Sequence, residues 1–108
     1  MTTGVTIEPG ICRLTCEVTA ELIDEDELAV DVHTQCAAIT GMFEVLGREF
    51  DAFEVCTQKP GTGPFFDYVR EHKYPVHVSC PVINGIIKAM EVEAHLALPH
   101  DASITFHQ

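Results

Sequence analysis

Residues 12–22, CRLTCEVTAEL, alternate without a break. Cys12, Leu14, Cys16, Val18, Ala20 and Leu22 take one parity, and Arg13, Thr15, Glu17, Thr19 and Glu21 take the other. Successive side chains of a strand point to opposite faces, so this run predicts a strand with one face buried and one wet. The acidic triplet at 24–26 follows, and ELAVDVHT then alternates again, with Leu28, Val30 and Val32 on one face. Two alternating runs around a short polar turn predict an antiparallel hairpin. With the turn centred near Glu25, facing residue numbers sum to about 50. Val18 then faces Val32 and Leu22 faces Leu28, so both apolar faces fall on the same side. Extending the ladder further sets Cys12 and Leu14 beside the segment that holds Cys36.

Beyond Cys36 the period changes. Ile39, Met42, Phe43 and Leu46 follow helical spacing, and Gly47 supplies a stop. EFDAFEVC fits either a short helix or an extended piece. KPGTGP is a loop, with Pro64 placed for the first turn of a short helix through Phe65, Phe66 and Val69. That loop lacks the lysine–hydroxyl ending of a phosphate cradle. YPVHV is short and extended. The longest helical pattern starts at Pro81, runs through Ile83, Ile86, Ile87, Met90, Ala94 and Ala97, and stops at Pro99. Gly85 costs that helix about 1 kcal/mol relative to alanine, and is explained by a close approach from another backbone. ASITF alternates through Ile104 and Phe106 and predicts a last strand. The expected class is α+β: one domain over residues 1–108, in the order β-β-α-α-α-β, with an antiparallel sheet covered on one face by helices.

Charge narrows the function classes. The chain carries 17 acidic and 6 basic residues, a formal −11. A phosphate backbone is repelled by that field, which excludes nucleic acid as a partner and favours a protein with a basic surface. The apolar stretches are too short to span a bilayer, and MTTGVTIEPG has no basic segment leading into an apolar one. A cytoplasmic protein is therefore expected.

Five cysteines are more than packing of a 108-residue chain requires. An odd number without an export signal argues against a disulfide framework, leaving metal binding, thiol chemistry and burial. Cys16, between the inward Leu14 and Val18, reads as packing, and so does Cys56, which has no motif around it. Cys12, Cys36 and Cys80 sit at element boundaries. The last two precede helices, where unpaired N–H groups favour thiolate, the form that binds metal or attacks. Three thiolates need one more ligand for zinc or iron; His77 is nearest in sequence, and His33 is a second candidate whose parity turns it outward. His77 alone is an ordinary strand histidine. His100 and His107 read as solvated. Glu91 and Glu93 are two apart on one helix and point in different directions, with Glu91 in reach of Lys88, so a solvated face accounts for both. No serine stands in a nucleophile elbow.

The order of these pieces resembles a known family. A strand just after GIC, a strand ending at HTQC before a helix, and HVSCPVINGIIKAM opening a long helix are similar to the IscU/NifU-like scaffold proteins for iron–sulfur cluster assembly. The resemblance spans Gly10 to Leu98 at the level of pattern, and it implies that Cys12, Cys36 and Cys80 hold the cluster. Leu14 stands where the scaffolds carry an aspartate, Ser79 where a histidine directly precedes the third cysteine, and the chaperone-recognition motif is missing. The chain also resembles a small uncharacterised family of anaerobic prokaryotes with a GIC start and an H-x-x-C-P-V segment.

The expected function is thus binding of an iron–sulfur cluster or zinc by Cys12, Cys36 and Cys80, with His77 as candidate fourth ligand, in a scaffold, carrier or sensor and not an enzyme. Two alternatives stand beside it. One is a thiol enzyme or sulfur carrier with Cys36 or Cys80 as nucleophile; the other is a non-catalytic interaction domain.

Overall fold

A computed structural model describes residues 2–71 and 76–108. The chain is α+β. Its sheet is a four-stranded antiparallel meander, in the order β1 (Thr2–Ile7), β2 (Cys16–Leu22), β3 (Glu27–Thr34) and β4 (Glu49–Asp51). The hairpin register is the expected one, with Val18 opposite Val32 and Leu22 opposite Leu28. One face buries Ile7, Cys16, Val18, Ala20, Leu28, Val30 and Phe50. The other leaves Glu17, Thr19, Glu21, Asp31 and His33 in water. That is the period-two division of a one-sided antiparallel sheet.

Four helices supply the second layer: α1 (Ala37–Leu46), α2 (Ala52–Cys56), α3 (Pro64–Glu71) and α4 (Val82–Glu93). α4 lies on β1 and β2, α1 on β3, and α2 and α3 fill the space between them. Gly47, at φ 82°, closes α1 by donating its N–H to the Phe43 carbonyl at 2.9 Å. Asp51 caps α2, its carboxylate accepting from the Phe53 and Glu54 N–H groups at 2.8 and 3.1 Å. Phe43, Phe50 and Phe65 meet where α1, β4 and α3 converge, with ring centroids 4.9 to 6.1 Å apart. Among the described residues no helix is long and apolar enough to cross a membrane.

Several expectations are corrected. The first element is β1, which the sequence reading left unassigned. TTGVTI has small polar residues on its wet face and only Val5 and Ile7 as large apolar ones, so its alternation is faint. The strand expected over ASITF does not form; residues 98–108 have no regular structure. α4 stops at Glu93, well before Pro99. His95 takes φ 64°, its N–H reaches the Val92 carbonyl at 3.1 Å, and the Leu96 N–H reaches the Glu91 carbonyl at 2.8 Å. That paired closure is a Schellman stop, here made without glycine. The extended piece expected from Tyr74 begins outside the described residues; Val76 onward is not a strand but leads into a turn in which the Cys80 N–H bonds the His77 carbonyl at 3.0 Å.

Glu93 is not on a solvated face. It is 1% exposed, and its carboxylate accepts the Thr3 hydroxyl at 2.8 Å and the Leu22 N–H at 3.0 Å. The Leu22 amide lies at the end of the β2 ladder, so the carboxylate fastens the last turn of α4 to the sheet and its burial is compensated. Gly85 admits a side chain and not a backbone. A Cβ built there would lie 2.6 Å from Ile7 Cγ1 and closer still to Cδ1.

Candidate functional site

The thiols gather at the end of the sheet where β2 begins, β3 ends and α4 starts. Cys16 opens β2, faces inward and is 0% exposed. It stands opposite Thr34, the last paired residue of β3. Two residues further on, Cys36 is the N-cap of α1, in extended conformation (φ −73°, ψ 111°). Its N–H donates to the Thr34 hydroxyl at 3.2 Å, and its carbonyl accepts the Thr40 N–H at 3.1 Å, which fixes the corner from strand to helix. Cys80 directly precedes Pro81, the N-cap of α4. Cys36 and Cys80 are each half-buried.

Electrostatics tie the three together. The Cys16 thiol is pushed up from 9.0 to about 11, first by burial, then by the charges of Cys36 and Cys80, then by Glu17. Burial in apolar surroundings disfavours the thiolate, and like charges nearby disfavour it further. So Cys36 and Cys80 stand within electrostatic reach of Cys16, each thiol from a different element. Among the described residues no group of three or more His, Cys, Asp or Glu side chains already has the spacing to hold a metal ion.

The expected ligands divide accordingly. Cys36 and Cys80 are where the sequence placed them, at helix mouths. Cys12 is exposed in the β1–β2 connection, in a turn closed by the Arg13 N–H on the Gly10 carbonyl at 3.0 Å. Gly10 at φ 100° and Arg13 at φ 59° break the strand there, so the ladder ends at Cys16 and never reaches Cys12. Cys12 is not among the groups that act on Cys16. His77 is exposed, one turn back from Cys80. His33 lies on the wet face, 3.0 Å from Asp31.

Cys16 is the member that sequence reasoning set aside. Its inward parity alone points to packing, and its burial agrees. The signal that would have placed it with the others was the register itself: residue numbers summing to about 50 put position 16 opposite 34, two residues from Cys36. Cys56 stays apart. It is half-buried at the end of α2, and its thiol is pushed up to about 11 by burial and then by Glu91.

A surface hollow lined by Arg13, Leu14, Thr15 and Gln35 adjoins the chain positions of Cys12 and Cys36. Ile11 and Val78, neighbours of Cys12 and close to Cys80 in the chain, are fully in solvent.

No curated protein and no solved structure matches the chain. A sequence model does match over residues 3–106, and the chain belongs to the family it describes, DUF6951, a family of unknown function.

Proposed function

We propose that this protein binds a soft metal ion or an iron–sulfur cluster through cysteine thiolates at the open end of the β2–β3 hairpin, and holds or carries that centre without catalysing a reaction. One observation supports the reading above the rest: the sheet register sets the buried Cys16 opposite Thr34, two residues from Cys36 at the mouth of α1, while Ile7, the other partner of Cys16, packs on Gly85 in the first turn of α4 behind Cys80. Thiols gathered this closely oppose one another's ionisation, whereas a cation among them reverses the sign and deprotonates them outright. Thiolate donors suit zinc, copper(I) and iron–sulfur clusters.

Each residue then has a role. Cys16 forms the floor, and Cys36 and Cys80 the walls. Neither wall thiol is fully buried. Cys12, on its exposed turn, and His77 are the two candidates for a fourth donor. The acidic outer face of the sheet, with Glu17, Glu21, Asp31 and Glu49 exposed, suits a delivery or acceptor protein with a basic surface. Anaerobic purification, metal analysis and reconstitution with zinc, or with iron and sulfide, test the proposal. Uptake lost in Cys36→Ser and Cys80→Ser supports it, and a chain that takes up neither metal overturns it.

A second reading rests on Cys36 alone. The first turn of α1 has no side-chain acceptor on its N–H groups, which leaves a Cys36 thiolate free to take that place. A sulfur carrier or thiol enzyme of this kind shows one cysteine alkylating far faster than the rest, in a metal-free chain.

A further inference from the structure

Two segments of this acidic chain are nearly free of charge, and each lacks the neighbour its pattern calls for. β1 reads TTGVTI and has no ionisable side chain. It pairs with β2 along one side and ends the sheet, so its other side presents unpaired backbone N–H and C=O groups. Edge strands are commonly blunted by lysine, proline or a bulge. β1 has neither residue, and its pairing with β2 is continuous from Thr2↔Glu21 to Ile7↔Cys16.

The other segment is the C-terminal tail. Residues 95–108 hold one carboxylate side chain, Asp101, of the 17 in the chain, and three of the six histidines. Ile104 and Phe106 alternate with polar residues in a strand pattern, yet they are 85% and 91% exposed. Among the described residues no hydrogen bond joins 101–108 to the rest of the chain. α4 ends beside Thr3, where Glu93 is fastened, and among the described residues the tail that follows pairs with no strand of the sheet. The family match extends to residue 106, so the tail belongs to the shared pattern of the family and is not an appendage of this chain.

We infer that the tail of one copy, centred on Ile104 and Phe106, adds as a strand to the free β1 edge of a second copy, and that the exchange is reciprocal and closes a two-fold dimer. Strand addition satisfies the open backbone groups of β1, while the alternate side chains of the tail supply apolar burial. A reciprocal contact of this type uses the tail and the β1 edge of both copies, so it closes at two chains. Charge favours this contact over others. Two copies at −11 repel wherever carboxylates face each other, and β1 and the tail are where they do not.

Sedimentation of the full-length chain over a concentration series tests the inference. A reversible dimer is expected, with the outward-facing amides of Thr2–Ile7 gaining protection from hydrogen exchange as it forms. Ile104→Asp with Phe106→Asp is expected to weaken it about a hundredfold by removing two buried apolar side chains. The same variant is expected to keep the wild-type circular dichroism and melting temperature at dilution, since both residues lie outside the core. A monomer at every concentration overturns the inference, and so does a dimer that survives the double substitution.

Discussion

Ile7 on β1 fills the space that a side chain at position 85 of α4 would occupy. Any Cβ at Gly85 meets Ile7 Cγ1 at 2.6 Å. Helix propensity favours alanine over glycine by about 1 kcal/mol, while overpacking a core costs about 1–3 kcal/mol. The steric cost is the larger at this distance, so Gly85→Ala is expected to destabilise the protein by about 1 kcal/mol. Chemical denaturation of Gly85→Ala, Ile7→Ala and the double variant checks the cause. The two substitutions should be markedly less costly together than the sum of each alone, because removing Ile7 vacates the site. Simple additivity contradicts the account.

Glu93 closes the other end of the same contact. Its two acceptor bonds, from Thr3 and from the Leu22 amide, lie at a position 1% exposed. Glu93→Leu leaves the Leu22 N–H without its acceptor and is expected to cost about 2–3 kcal/mol, against about 1 kcal/mol for Thr3→Val. Urea midpoints with unchanged slopes measure both. Equal, negligible losses would mean that the carboxylate does not fasten α4 to the sheet.

These two contacts show where sequence reading succeeds and where it stops. The hairpin register was legible because turn position and parity together leave one solution in which Val18 meets Val32. α1 and its Gly47 stop were legible from the helical period. Glu93 was not, since a glutamate two residues from another glutamate on a helix is usually wet. Only the end of the β2 ladder, with an amide needing an acceptor, gives it a reason to be buried. β1 was missed because threonine and glycine leave little hydropathic contrast between its faces. The site followed the same rule. The positions of Cys36 and Cys80 at helix mouths were legible from local pattern. Cys16 needed the sheet register, and the ladder that was extended to Cys12 ends at Cys16, with Gly10 and Arg13 at positive φ beyond it.

Burial sets the order of thiol reactivity. Cys16 and Cys56, both pushed up to about 11, should alkylate slowest near neutral pH, and the exposed Cys12 fastest. The same shifts set a pH dependence. Both thiols ionise at higher pH in the folded chain than the ordinary 9.0. The folded state therefore holds more protons than the unfolded state between about 9 and 11. Their contribution to stability is complete below pH 9 and is lost as pH rises through 11. Cys16→Ala with Cys56→Ala should flatten that alkaline decline, as measured by thermal melts across the range. An unchanged decline would place its origin elsewhere.

The central claim is that three thiols from three elements act as one ligand set. Metal content of the anaerobically reconstituted chain, measured for the wild type beside Cys16→Ala, Cys36→Ser, Cys80→Ser and Cys56→Ser, tests it most directly. The account predicts about one zinc or one cluster per wild-type chain. It also predicts loss of that metal in each of the first three variants and retention in Cys56→Ser. A wild-type chain that stays metal-free, or variants at 16, 36 and 80 that load as fully as the wild type, would contradict it.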